Sequence, residues 1–410
     1  MSNVNKLSDE DLPLKGLKVV DVSILVAGGL ISTFLGDFGA DVIKVEHPQR
    51  GDPLRHLSAK PLRHGYSAWW TVFSRNKKCI TLNLGSTKGQ EILKRLIKNA
   101  DLLIENFRPG TMERWNLGYE TLSEINQRLI MMRVTGFGQT GPYKDRPGFG
   151  TLAESMSGLA HITGFPDGPP TLPPLGLADS ISALMGTYAV MFAIYYRDIR
   201  GKGVGQYIDL SVLEPIFAIL GPQTTEFEQL GVIQNRTGNR IPFAAPRNAY
   251  RTRDGKWVAL SGSAQTIAER ILKAVERPEL IKHPNFKDNR SRLQHADELD
   301  EIVGGWIGKH SFEEVMKRFE ECEAAIAPIY DITQITLDPH FEARETITAV
   351  YDHWLGTNVK MQNVFPKFSR TPGKIRWTGP PLGYHNKEIY IGHLGFTDEE
   401  MEKLKAEGVI

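Results

Sequence analysis

Within its first fifty residues the chain changes hydrophobic period twice, and few folds tolerate that. Lys18-Val-Val-Asp-Val-Ser23 is a short apolar run of strand character, broken at Ala27-Gly28-Gly29. Leu30, Ile31, Phe34, Leu35 and Phe38 then recur at helical spacing, Gly39 offers a stop, and Asp41-Val-Ile-Lys-Val-Glu46 reads as a second strand. A strand, helix, strand unit with short loops is the signature of a parallel sheet.

The pattern repeats. Runs at 79–84, 101–105, 129–135 and 206–210 read as strands, and 88–99 as a helix with Ile92, Leu93, Leu96 and Ile97 on one face. Residues 136–150 are dense in glycine and proline and form a loop, 152–163 is weakly helical, and 180–197 is predicted to be a long buried helix. After Glu214 the character changes. An irregular stretch at 234–247 precedes a hairpin over 250–260, turning at Asp254-Gly255, and amphipathic helices at 266–275, 296–306 and 312–322. From 327 the strand-and-loop style returns. The expected division is therefore 1–215, a smaller unit at 216–326, and 327–410 rejoining the first.

Composition narrows the function. The 410 residues carry 49 basic and 48 acidic side chains, a net charge of +1, so neither nucleic acid nor a membrane surface is called for as a partner. Residues 1–14 are polar and mixed in charge, with the features of neither a signal nor a transit peptide. The most apolar stretch, 181–196, is broken by Ser182, Gly186 and Thr187 and falls short of the ~20 residues a span needs. Cys79 and Cys322 are isolated; two thiols suit a reducing compartment, read here as the cytoplasm, and give no paired spacing for a metal.

Three loops attract attention. Glu105-Asn-Phe-Arg-Pro-Gly110 follows a strand, where open parallel sheets bind ligands. There Asn106 can hydrogen-bond, Phe107 can stack on a base, and Arg108 and Arg114 can hold phosphate; an exposed loop with solvated arginines is the plain alternative. Gly136-Phe-Gly-Gln-Thr-Gly141 matches a dinucleotide fingerprint, but Pro142 follows at once and no helix opens to receive a pyrophosphate. A glycine-rich cover over a ligand fits better. Asp179 precedes the apolar helix at 180–197, where it reads first as an N-cap. A helix start also lowers a carboxylate's pKa, and an ionised carboxylate at a sheet's ligand edge is a competent nucleophile.

In these segments the chain resembles the class III CoA-transferases, which include formyl-CoA, carnitine and succinyl-CoA:dicarboxylate transferases and the alpha-methylacyl-CoA racemases. The match runs from Pro13-Leu-Lys-Gly-Leu-Lys-Val-Val-Asp21 through Gly39-Ala-Asp-Val-Ile-Lys-Val-Glu-His-Pro48, Asn76-Lys-Lys-Cys-Ile-Thr-Leu-Asn83 and Glu105–Gly110. It continues through Gly136–Tyr143, Arg146-Pro-Gly-Phe149, Gly201–Gln206 and Pro381-Leu-Gly-Tyr-His385. The resemblance implies an α/β fold. A Rossmann-like large domain would be built from both chain ends with a smaller domain inserted, and two copies would interlock as rings in a homodimer.

It also implies a mechanism and a site. Asp179, in Gly176-Leu-Ala-Asp179, falls on the family's nucleophile. It would pass through an acyl-aspartyl anhydride and an aspartyl-CoA thioester while moving CoA from a donor such as succinyl-CoA to a (di)carboxylic acid. No permanently bound cofactor or metal is needed, and a CoA thioester is the substrate. CoA contacts carry over to Val26, Ala27, Leu82, Asn83, Asn106, Phe107, Arg108, Arg114, Tyr143 and Arg146, and to His47, where some relatives hold arginine. Arg247 is proposed as a clamp for a second carboxylate, beside Asn248. Two departures matter. Formyl-CoA transferases carry glutamine at the position of Val26 and an acid at that of Gly150. Racemases carry a His-Asp pair where Phe149 and Gly150 stand, and these cannot move an alpha proton. A racemase or epimerase, and a CoA-binding protein without turnover, are the competing readings.

Overall fold

A computed structural model describes residues 8–62 and 65–410. The reading of 1–14 therefore falls partly on 1–7, outside the described residues. The alternating periods become β1 (Lys18–Asp21), α1 (Ala27–Asp37), β2 (Asp41–Glu46), α2 (Ala68–Phe73), β3 (Lys77–Thr81), α3 (Thr87–Ile97) and β4 (Leu102–Glu105). There follow α4 (Thr111–Arg114), α5 (Tyr119–Ile125), β5 (Ile130–Thr135), α6 (Gly150–Met156), α7 (Leu159–Ile162), α8 (Leu177–Tyr195) and β6 (Tyr207–Ser211).

The six strands form one all-parallel sheet in the order β3-β2-β1-β4-β5-β6. Strands β4 and β5 are buried at every residue, which is why they read as continuous Leu, Ile and Met runs. Along β1 the side chains alternate: Val19 joins an apolar cluster with α1 and α8, while Val20 joins one with α3. The second cluster also takes in Tyr390, Met401, Leu404 and Ile410, so both chain ends share one core. Strand order reverses between β1 and β4, the switch point where a crevice opens at the strands' carboxyl ends.

The described residues group into two compact units. The larger holds residues up to Leu159, Pro173–Gly221 and Ala343–Ile410; the smaller holds Ala160–Leu172 and Pro222–Glu342. Residues 160–172 and 327–342, assigned from sequence to the large unit, thus cluster with the smaller one, and 216–221, assigned to the smaller, cluster with the larger. There the strand Ile326–Pro328 extends the hairpin Arg247–Arg251 and Trp257–Ser261, and helices Gln265–Ala274, Ala296–Ile307 and Phe312–Glu321 cover it.

Helix α8 departs from expectation. It begins at Leu177 and is not buried all round. Its small residues Ala178, Ser182, Ala183, Gly186 and Ala193 face inward. Contact with α1 is so close that a Cβ on Gly186 would come within 2.5 Å of Ile31. The opposite side exposes Leu184, Tyr188, Phe192 (67% exposed), Tyr195 and, just beyond the helix, Ile199. Leu177–Arg200 is by length and composition apolar enough to cross a membrane, but its packing on α1 is that of a core helix with one open face.

At the carboxyl ends of β1 and β2 the interior turns ionic. The Lys44 ammonium, fully buried, lies 3.0 Å from Asp52 and 3.7 Å from Asp21, and donates to the Ser23 carbonyl. Lys77 donates to the Gly29 carbonyl at 2.7 Å and lies 3.3 Å from Asp21. Burial alone pushes Asp21 up; Lys44, Lys77 and the hydroxyls of Ser23 and Ser32 outweigh it and hold the carboxyl at about 2. Removing one member strands its partners in a dry interior. Lys44→Met should therefore destabilise the chain by about 3–5 kcal/mol, read as a lower urea midpoint at unchanged slope.

Candidate active site

The loop after β1, residues 22–26, is held from both sides. The Asn106 amide, in the loop after β4, accepts from the Ile24 N–H at 2.8 Å and donates to the Ile24 carbonyl at 2.7 Å. Asp52 accepts from the Leu25 N–H at 3.0 Å. Leu25 needs that anchor: its φ of +61° is a left-handed conformation that costs a leucine about 1–2 kcal/mol. The carboxamide of Asn106, expected to meet a ligand, is instead engaged at both ends by backbone. The loop after β4 is fixed by Glu105, which accepts from Arg133 Nε and from the Phe107 N–H, both at 2.8 Å.

Two cavities open along the 22–26 loop, one with Ile24 in its wall and the other with Val26. The first, about 300 Å³, lies outside the ends of β1 and β2 and brings together His47, Leu82, Asn83 and Phe107 from the sequence reading. Phe107 stands edge-on to Trp115, ring centres 5.1 Å apart, in an apolar wall. His47 accepts two N–H groups on Nδ1, from Gln49 and Arg50. Burial, and then the Arg50 charge, lower its pKa, so the cation at this turn is Arg50. Sequence reasoning missed Arg50 and Trp115; the visible signal for Arg50 was its place three residues after His47. Arg108 and Arg114 are exposed on the loop after β4 and on α4. Tyr143 and Arg146 are exposed and stack on each other, the guanidinium 3.7 Å from the ring centre, and line neither cavity.

The second cavity, about 480 Å³ and open, is walled by Val26, Leu57, Ser58, Trp69, Gly176 and Asp179. Asp179 occupies the third position of α8. Gly176 precedes the helix as its cap residue, with no side-chain capping bond, so Asp179 is not the N-cap its sequence position suggested. Nor is it held ionised by the helix. Its pKa is raised from 3.8 to about 6, by burial first and then by the neighbouring Glu154 charge. Glu154, on α6 and 2% exposed, accepts from the Ala178 N–H at 3.1 Å. Gly150, one turn earlier on α6, lies flat against the aspartate: a Cβ there would stand 3.1–3.3 Å from its carboxyl atoms. Among the described residues no ion pair or hydrogen bond occupies the Asp179 carboxylate. Such a group, desolvated but reachable from a cavity, is suited to nucleophilic attack.

A family model described as CoA-transferase family III matches residues 14–386. The chain belongs to CoA-transferase family III. The transferase is 41% identical to the succinyl-CoA–D-citramalate CoA-transferase of Chloroflexus aurantiacus, over 97% of this chain and 98% of that one. It is 29% identical to the human succinyl-CoA:glutarate CoA-transferase, over 97% and 90%. A CAIB/BAIF family protein from Brucella suis superposes with a TM-score of 0.81 at 28% identity, covering 93% of this chain and 99% of that one.

Arg247 and Asn248 belong to the smaller unit of the transferase. There Arg247 donates to the Asn239 carbonyl at 2.7 Å and Asn248 to Asp300 at 2.7 Å. Cys79 and Cys322 are both free thiols, the first buried and the second partly so.

Asp179 makes a stability prediction. Folded, it keeps its proton up to about 6; unfolded, it releases it near 3.8. Stability therefore falls as pH rises through that window and stays lowered above it. Asp179→Asn should be more stable than wild type by up to about 3 kcal/mol above pH 6, with the gap closing below pH 4, in denaturant titrations at each pH.

Proposed function

We propose that this transferase moves CoA from succinyl-CoA to a four- or five-carbon dicarboxylate, with Asp179 as the covalent carrier. The observation that carries the assignment is the unpaired Asp179 carboxylate in the wall of the second cavity. The donor and acceptor class follow from the relatives, whose names pair succinyl-CoA with citramalate, malate or glutarate.

The nucleotide end of CoA is assigned to the first cavity, its base against Phe107 and Trp115 and its phosphates near Arg50. The pantetheine arm then follows the 22–26 loop and delivers the thioester to Asp179. An Asp179 oxygen bonds to the acyl carbon, the C–S bond breaks, and CoA leaves as thiolate. The thiolate attacks the aspartyl carbon of this anhydride, releasing the donor acid as carboxylate and leaving an aspartyl-CoA thioester. The acceptor carboxylate attacks that thioester, re-forming an anhydride and expelling thiolate. The thiolate takes the acceptor's acyl carbon and frees Asp179. Every step exchanges one anion for another, so no proton transfer and no electron carrier is required.

The open face of α8 supports self-association, since an apolar stripe of this size on one helix is characteristic of a buried interface. We assign its cover to a second copy of the chain, in the interlocked arrangement the family resemblance implies, acting in the cytoplasm.

With succinyl-CoA as donor, a panel of malate, citramalate, glutarate, oxalate and acetate should show preference for the dicarboxylates of four and five carbons. Asp179→Ala should lower transfer by about 10³-fold or more while CoA binding persists; substantial residual transfer would sink the nucleophile. Because Asp179 must be ionised to attack, kcat/KM should fall as pH drops through about 6. Replacing Tyr188 and Phe192 together by glutamate should halve the mass seen by light scattering from twice 45.9 kDa; a wild-type chain already at 45.9 kDa contradicts the dimer.

A further inference from the structure

Glu154 has no place in the four steps above, yet it is a buried acid whose charge bears on the reacting group. Its carboxylate holds the first turn of α8 through the Ala178 N–H, one residue before Asp179. Gly150, on the same face of α6 as Glu154, already touches the Asp179 carboxyl, so α6 packs closely against the start of α8. Among the described residues nothing cationic pairs with either acid. The second cavity's walls of Val26, Leu57, Ser58, Ala59, Trp69 and Gly176 carry no titratable group.

Charges on the elements packed against α8 are paired elsewhere or exposed, among them Arg197, just beyond its end, which pairs with Asp101 and Asp198. Asp37 of α1 pairs with Arg75, and Arg133 of β5 with Glu105 and Glu113. Asp209 of β6 accepts from the Gln139 N–H, and Glu214 of the helix Leu213–Ala218 is exposed. Glu154 is thus the titratable group that bears on Asp179.

Resting on the assignment of Asp179 as nucleophile, we propose that Glu154 is a positioning residue whose charge drives the aspartate toward its acylated forms. Two like charges in a poorly solvated site repel. Repulsion is present while Asp179 is a free carboxylate and is relieved when its oxygen bonds to the acyl carbon, because the anhydride and the aspartyl-CoA thioester are both neutral at that side chain. The negative charge leaves on the CoA thiolate when the anhydride forms and on the released donor carboxylate when the aspartyl-CoA thioester forms. Glu154 therefore disfavours the resting enzyme relative to each covalent intermediate, and it makes the attacking carboxylate a stronger base than an ordinary aspartate.

Glutamine at 154 keeps an oxygen to accept from Ala178 and removes only the charge. In E154Q the acid limb of kcat/KM should move down from about 6 by roughly one unit. Plateau kcat/KM should fall roughly three- to tenfold, with a smaller fraction of Asp179 found as adduct after hydroxylamine trapping and mass spectrometry during turnover. An E154Q enzyme with the wild-type limb and adduct level overturns the proposal. E154D keeps the charge and should retain a limb near that of wild type; a limb moved down by roughly one unit overturns the proposal too, and decides the matter alone if E154Q does not fold. Wild-type enzyme without any Asp179 adduct would instead remove the nucleophile assignment, so the two failures are distinguishable.

Discussion

The Lys44 ammonium, buried between Asp52 and Asp21, is the contact from which the site is built. It ties the end of β2 to the turn beyond it, and that turn supplies the Asp52 oxygen that holds Leu25 in a left-handed conformation. Lys77 reaches the same Asp21 from β3 and binds the Gly29 carbonyl in the first turn of α1. Three strands and a helix start are thus locked at one edge of the sheet. Buried ion pairs are a poor source of net stability, since desolvation consumes most of the Coulombic gain. Their value lies in directionality: apolar contacts would hold these strands together without fixing where a strained loop points. Arg55 repeats the device one turn away, forked onto Glu46 and stacked 3.6 Å over Trp70, while its Nη1 binds the Pro380 carbonyl of the returning chain end.

The 22–26 loop lines both cavities, and rigidity there matters under the proposed placement of CoA. A ligand with a nucleotide at one end and a thioester at the other must be gripped far from the reacting atom, and distant binding energy helps only if the two ends keep their separation. Asn106 closes that frame from the β4 side, bridging the switch point of the sheet with a pair of hydrogen bonds to Ile24. An amide that looks available in the sequence is worth more as a strut.

Legibility followed locality. Periods of 2 and 3.6 are written in neighbouring residues, so β1, α1 and β2 and the three helices Gln265–Ala274, Ala296–Ile307 and Phe312–Glu321 of the smaller unit could be placed to within a few residues. That unit's helices Gln223–Leu230, Asn289–Gln294 and Ile332–Leu337 were not read. Asp179 was singled out from its place before an apolar run and from the family resemblance. Its environment could not be read. The pKa of about 6 arises from burial and from Glu154, twenty-five positions earlier and brought near only when α6 packs against α8. For the same reason the sequence suggested a capping aspartate with a lowered pKa where the structure has one inside the first turn with its pKa raised. The outward face of α8 misled in another way: composition shows how apolar a helix is, whereas which side is covered depends on the small residues that let α1 approach. Arg50 was overlooked because its role depends on the shape of a turn rather than on a pattern.

The absence of a cation beside Asp179, among the described residues, makes chemical sense. An arginine or lysine in contact would stabilise the carboxylate, lower its pKa and weaken it as a nucleophile toward a thioester carbonyl. It would also hold the resting enzyme in an ion pair that each acylation must break. A neutral apolar wall with an acid behind it does the opposite: it leaves the carboxylate poorly solvated and, on the proposed mechanism, repelled until it is acylated. The cost is a less stable fold at neutral pH, which under the proposed role of Asp179 is a trade of stability for reactivity. The cations of this region are spent on structure, at Lys44, Lys77 and Arg55, where fixing the backbone needs them. A free carboxylate in the second cavity and a saturated ionic cluster under the first are two outcomes of one constraint: a buried charge either finds a partner or becomes reactive.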